Sequence, residues 1–223
     1  MEPTFRDGDR TERRTKPCKP VLACFAVKQE AQYVAHPQID VLLTGIGRAN
    51  AERNLRAALQ RTDPLVVLSC GFAGGLNPLL KAGHVVFSPK EEAGLTMKLI
   101  AAGASPAWFH CVPRVVTTAA EKKMLRETIG ADAVEMESEY IRAICQAKEI
   151  PGATIRVISD AADENLPLDF SAFMTGEQEL DYRKLTLALL RAPWKLPAVL
   201  RLRRHTRLAA KNLAQVLHAI IPS

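Results

Sequence analysis

From about residue 20 onward, short β-branched apolar runs alternate with stretches of helical period, and that alternation admits few arrangements other than a sheet covered by helices. The runs are Val21–Val27, Val41–Thr44, Leu65–Ser69, Val85–Ser88, Val112–Thr117, Ala133–Met136 and Ala153–Ser159. Several are apolar on both faces, as central strands must be. Between them, Arg48–Arg61 places Ala51, Leu55, Ala58 and Leu59 on one helical face, and Glu137–Lys148 does the same with Tyr140, Ile141, Ile144 and Cys145. Two further helical patterns, 182–190 and 198–220, flank a break at APWKLP, where Pro193 and Pro197 interrupt the period.

At 223 residues the chain fits one domain. Residues 1–19 mix charge with Pro, Gly and Thr, bury too little to order themselves, and read as a flexible leader. Residues 20–223 read as a single catalytic domain whose last segment is helical and basic. The charge is uneven: residues 20–182 hold 15 Lys and Arg against 20 Asp and Glu, whereas residues 183–223 hold nine against none. The amino terminus lacks the apolar stretch of a secretory signal and no run approaches the roughly 20 residues of a membrane span, so a cytoplasmic protein is expected. Five cysteines without a CxxC pair indicate neither a disulfide framework nor a zinc site, and five histidines without ligand spacing give no metal.

Three segments carry chemistry. TGIGRANA, residues 44–51, sets Gly45 and Gly47 between a strand and a helix, which frees backbone N–H groups at the helix start for an anion or hydroxyl. A tight turn without a ligand explains the same residues. SCGFAGGL, residues 69–76, packs small residues after a strand so that backbone can approach a flat ligand, and lacks the serine of a nucleophile elbow. VEMES, residues 134–138, places Glu135 and Glu137 on one face of an extended strand, although Glu137 and Glu139 also suit the positive end of the following helix. Asp160, just past ATIRVIS, suits a catalytic acid or a helix cap.

In this order, FAVKQE, TGIG, CGFAGGL with KAGHVV, VEMES and RVISDAAD resemble the purine and uridine phosphorylases and the methylthioadenosine/S-adenosylhomocysteine nucleosidases. The resemblance spans roughly residues 20–170. It implies a three-layer α/β fold, a mixed central sheet flanked by helices, and cleavage of the bond between ribose and a purine-like base. Carried over by position, Glu137 is similar to the carboxylate that grips the ribose hydroxyls, with Glu135 beside it, and Met136 to the apolar floor under the sugar. Asp160 resembles the acid serving the base, and Ser159 and Arg156 the residues that orient it. Glu30 is similar to the glutamate that activates water. Ser69 lies where a hydroxyl meets phosphate or water, and Phe72, Ala73 and Gly74 line the substrate.

If Asp160 works as an acid it must hold a proton, and Asp163 and Glu164 are the expected acidic neighbours that would favour this. No arginine precedes the second glycine block, where Leu65–Leu68 stand instead, which favours hydrolysis. Phe72 occupies a position where the nucleosidases commonly carry serine. The resemblance implies no cofactor, with inorganic phosphate as co-substrate in the phosphorolytic case, and a homodimer or larger homo-oligomer. Length, the LP after SDAADE and the Pro- and Arg-rich tail look most like the hopanoid-associated phosphorylase branch, which implies an adenine nucleoside with a lipid 5′ substituent. The basic tail then fits peripheral contact with the inner face of a membrane. Two rivals are a catalytically idle nucleoside-binding relative and a basic nucleic-acid-binding protein; the acidic body and sparse aromatics disfavour the second, and no nucleic-acid partner is expected.

Overall fold

A computed structural model describes residues 20–90, 93–168, 184 and 191–221. The expected leader lies outside the described residues, as does the pattern at 182–190 apart from the helical Lys184. In chain order the elements are β1 (Val21–Phe25), α1 (Lys28–Ala31), β2 (Ile39–Leu43), α2 (Arg48–Ala58), β3 (Val66–Gly75), β4 (Val85–Phe87), α3 (Thr96–Ala101), β5 (Ser105–Pro106) and β6 (Phe109–Cys111). There follow α4 (Ala119–Ile129), β7 (Ala133–Glu135), α5 (Ser138–Ala147), β8 (Gly152–Asp160), a 3-10 turn (Pro193–Lys195) and α6 (Leu196–Ile220).

All eight strands join one sheet in the order β2-β1-β3-β8-β4-β5, with β7 on the far end of β3 and β6 on β7. The β1–β2, β1–β3 and β3–β8 pairs are parallel, whereas β4–β8 and β3–β7 are antiparallel. The sheet is therefore mixed, with helices on both faces. β1 shows how the period of two builds the layers: Val21, Ala23 and Phe25 pack toward α6 with Leu213, Val216 and Leu217, while Leu22 and Cys24 pack toward α2 and α5 with Leu55, Ile141 and Ile144. Burying each Leu or Ile of this kind contributes roughly 1.5–3 kcal/mol.

β3 is the axis of the molecule, bonded to β1 along one edge and β8 along the other. Its register with β8 pairs Ser69 with Thr154, Gly71 with Arg156 and Ala73 with Ile158, then slips so that Gly74 faces Asp160. Ser159 is the residue passed over, as at a β-bulge.

The run Val112–Thr117 does not form the expected strand; β6 ends at Cys111. Pro113 has no N–H to give a ladder, and the chain turns there toward α4. That helix begins at Thr118, whose hydroxyl accepts the N–H of Glu121, and ends at Gly130 with φ 75°, a conformation glycine tolerates.

Candidate active site

The end of β7 delivers two buried carboxylates with different partners. Glu135 accepts the N–H groups of Glu137 and Ser138 at 3.0 and 2.7 Å and the Ser138 hydroxyl at 2.8 Å. It thereby satisfies the first donors of α5, a task that short-range sequence logic also allows Glu137. Glu137 is left to reach across the sheet, where its Oε1 accepts the Gly47 N–H at 2.8 Å. Gly47 has φ 80° and caps α2, so its turn aims that N–H away from its own helix.

Arg156, on β8, lies beneath both carboxylates. Its Nη2 donates to Glu135 at 2.7 Å and to the Ser69 hydroxyl at 3.1 Å, and lies 3.9 Å from Glu137 Oε2. Burial pushes Glu135 up, but the Arg156 guanidinium and the N–H donors outweigh it and hold that carboxyl below the usual range. For Glu137 burial prevails: despite Arg156, and with Glu135 and Glu30 adding repulsion, its pKa is pushed up to about 7. One carboxylate is thus committed to Arg156, while the next titrates near neutrality.

Glu30 enters from the single turn of α1. Its Oε2 accepts the N–H groups of Ala26 and Val27, and its Oε1 accepts the Phe72 N–H at 2.8 Å. Gly71 must be glycine beside it: φ is +147°, and a Cβ there would stand 2.6 Å from Glu30 Oε1. Burial raises the Glu30 pKa, with the Phe72 N–H and Arg156 restraining the rise.

At the end of β8, Asp160 is held from both sides. Ser159 Oγ lies 2.5 Å from its Oδ1 and also 3.3 Å from the Ala73 carbonyl, while Lys122 Nζ meets Oδ2 at 2.5 Å. Lys122 has no exposed surface and donates in addition to the carbonyls of Ala161 at 2.7 Å and Glu164 at 2.9 Å. Gly74 sits between the two groups of acids: its absent Cβ would lie 3.2 Å from Val134 on β7 and 3.5 Å from Asp160 Oδ2. The ends of β7 and β8 therefore flank one stretch of β3 backbone, with Glu30 against Gly71 and Phe72 a little below. An array of this kind, a carboxylate near neutrality, a second buried carboxylate and a cation-paired aspartate, suits a reaction in which opposite charges develop on neighbouring groups.

A family model described as the phosphorylase superfamily matches residues 28–94 and 107–191. The chain belongs to the phosphorylase superfamily. Solved structures agree on the fold of this superfamily member. It is similar to the 5′-methylthioadenosine/S-adenosylhomocysteine nucleosidase of Neisseria meningitidis, solved with methylthio-immucillin-A, at 20% identity over 91% of this chain and 98% of that one, with a TM-score of 0.67. It is similar to the futalosine hydrolase of Helicobacter pylori at 17% identity over 89% and 97%, with a TM-score of 0.64. With the S-adenosylhomocysteine nucleosidase of Streptococcus pyogenes the figures are 12%, 94%, 100% and 0.66. At such identities the likeness is one of architecture.

Against that frame the sequence-derived residues of this superfamily chain fall into two groups. Glu135, Glu137, Arg156, Ser69 and Glu30 interact with one another, and Asp160, Ser159, Ala73 and Gly74 gather at the neighbouring strand ends. Phe72 contributes its N–H to Glu30, and Met136 is partly buried against the apolar cluster that holds Leu76, Val112, Val116, Ala131 and Val134. Two expectations are corrected. Arg156 pairs with Glu135 and Ser69 rather than with Asp160, which stands four residues, roughly 13 Å, further along β8. The companion of Asp160 is a cation, not an acid: Asp163 is exposed, and the Glu164 carboxylate turns back to the Ala161 N–H at 3.0 Å. Lys122 was missed; its one local trace is its phase with Leu125, a residue of α4 that packs inward.

A hollow of about 230 Å³ opens beside the Glu135 end of this cluster, between Lys90, Trp108, His110 and Arg142. Its lining shares Ser138 with the cluster, but its one carboxylate, Glu139, is exposed, so the buried acids rather than this hollow mark the candidate site.

Proposed function

We propose that this protein cleaves the N-glycosidic bond of a purine nucleoside, with adenine as the base and a bulky 5′ substituent on the sugar. The observation that carries the reading is Glu137, a buried carboxylate with a pKa of about 7 anchored by the Gly47 N–H. Breaking a nucleoside leaves positive charge on the sugar and negative charge on the base. Glu137, ionised and close to the sugar hydroxyls, stabilises the first, and Asp160 serves the second. The chemistry asks for no cofactor.

Water is the favoured nucleophile. Glu30 offers it a buried carboxylate as base, and Arg156, the nearest cation, already faces Glu135, Glu137 and Glu30, a surrounding that repels phosphate. Phosphorolysis is the second reading, favoured by the buried Arg156 Nε, which has no acceptor, and by the Ser69 hydroxyl close to that guanidinium. Incubation with adenosine and 5′-substituted adenosines, with and without inorganic phosphate, decides between them. Free ribose products formed without phosphate are expected. Sugar 1-phosphate formed only with phosphate selects the second reading, and no base release from any member of the panel removes both.

The bulky 5′ group is supported by the surface of α6, which meets the turn after β8 where His205 Nδ1 lies 3.8 Å from Glu164 Oε2. Residues 191–221 carry seven Lys and Arg and no acid. The first half of α6 exposes Leu196, Leu200 and Leu208 at 47–50%, preceded by Trp194 at 74%. Leucines interleaved with arginines on an exposed helix suit anionic lipid headgroups better than a nucleic acid. Among the described residues no helix is long and apolar enough to cross a membrane. Co-sedimentation with anionic but not neutral vesicles at physiological salt is expected. Equal recovery from both vesicle types, or preferential capture by duplex DNA, would defeat the lipid assignment.

A further inference from the structure

A lysine with no exposed surface needs a reason to be buried, because its ammonium gives up hydration that only charge and hydrogen bonds can replace. Lys122 finds three acceptors at once: Asp160 Oδ2 and the carbonyls of Ala161 and Glu164. An ammonium has three protons, so each is directed. Two hold the backbone turn that follows β8, and the third lies on the carboxylate that faces the departing base. Nothing in the superfamily match or in the strand-end motifs calls for a cation at this place.

Asp160 is also arranged to change its protonation without losing a partner. Ser159 has one hydroxyl proton and two acceptors in reach, the Ala73 carbonyl and Asp160 Oδ1. With Asp160 ionised, Ser159 donates to it. With Asp160 protonated, Ser159 turns its proton to Ala73 and its oxygen accepts from the acid. Two of the four lone-pair positions of the carboxylate are occupied by Ser159 and Lys122, which leaves the others for a ligand.

Resting on the nucleoside reading above, we propose that Lys122 is the proton source behind Asp160, so that the leaving base is protonated by a lysine–aspartate pair rather than by a pre-protonated aspartic acid. As the bond between C1′ and the base nitrogen breaks, its electron pair stays on the base. Asp160 passes a proton to a base nitrogen and takes one from Lys122 Nζ. The base leaves neutral, Asp160 returns to the carboxylate, and Lys122 is left as an amine that regains its proton from solvent after the product departs. Lys122 acts through Asp160 and is a positioning and proton-supplying residue, not one that touches substrate.

The test compares leaving groups. Adenosine and 5′-methylthioadenosine require a proton on the base, whereas 4-nitrophenyl riboside releases a stable anion that does not. Lys122→Arg keeps the cation and guards against loss of fold, but a guanidinium does not surrender a proton. Lys122→Met removes both cation and proton. Both variants are expected to lose roughly 100-fold or more in kcat on the nucleosides, with KM changed less than about threefold, while nitrophenyl riboside turnover stays within about fivefold of the parent.

Equal losses on nucleoside and nitrophenyl substrates would make Lys122 a purely structural residue and overturn the proposal. So would full nucleoside activity in Lys122→Arg, because the charge alone would then suffice. A parent protein that cleaves nitrophenyl riboside but no nucleoside would sink the nucleoside reading, and this inference with it, before any variant is compared.

Discussion

Asp160→Ala is expected to destabilise the protein by about 3–5 kcal/mol, the usual cost of leaving one member of a buried ion pair without the other. Lys122 would keep its two carbonyl partners but lose the Asp160 carboxylate, inside a site where its side chain has no solvent contact. The loss reads directly as a lower midpoint in urea denaturation at neutral pH. Asp160→Ala combined with Lys122→Met should recover most of it, since two neutral side chains leave no unmatched charge. If the double variant were as unstable as the sum of the single ones, the two side chains would not be energetically coupled. In the proposed reaction Asp160 serves the leaving base, so nucleoside turnover of Asp160→Ala should fall by about 10²–10⁴ even where the protein remains folded.

Glu137→Gln should separate function from stability in opposite directions. Between its ordinary pKa of 4.5 and its folded value of about 7, Glu137 binds more protons in the folded than in the unfolded state, so its contribution to stability falls as the pH rises through that window. Above pH 7 the cost of holding the charge is ~3 kcal/mol at one pKa unit per 1.36 kcal/mol. Glutamine keeps an oxygen for the Gly47 N–H without carrying charge. At pH 8 the variant is therefore expected to melt higher than the parent, and at pH 5 the two should converge. Activity moves the other way: in the proposed reaction the Glu137 charge stabilises the sugar, so its loss should lower kcat by roughly 10²–10³. In the parent, kcat/KM should drop about tenfold per pH unit below pH 7 as the carboxylate is protonated. A variant less stable than the parent at pH 8, or a pH profile flat from 5 to 8, would remove Glu137 from this role.

The central strands and most of the acids were legible because their signals are local. Leu65–Leu68 is a continuous apolar run, Ala153–Ser159 is rich in β-branched residues, and Glu135 and Glu137 stand two apart at a strand end. The division of labour between those two glutamates was not legible, since it depends on Gly47 arriving from a turn 90 residues away. Glu30 was found by position in a motif, but its anchoring to Phe72 arises only when β3 is laid beside β1. Lys122 was hidden for another reason. It stands in AAEKKMLRETI beside a second lysine, and only Lys122 turns inward. Charge and propensity treat both alike, so the tertiary partner, Asp160, makes the distinction.

The slipped pairing of Gly74 with Asp160 has a consequence for how this chain can vary. In an unbroken ladder consecutive residues look to opposite sides, and a hydroxyl and a carboxylate adjacent in sequence could not both address the same space. Here one unmatched residue lets Ser159 and Asp160 work side by side. A deletion or insertion near that point would act less as a change of length than as a change of odd to even, exchanging the side chains that meet Lys122 and Ala73 for those meant for the interior. The tolerance of this strand should accordingly follow parity more closely than chemistry.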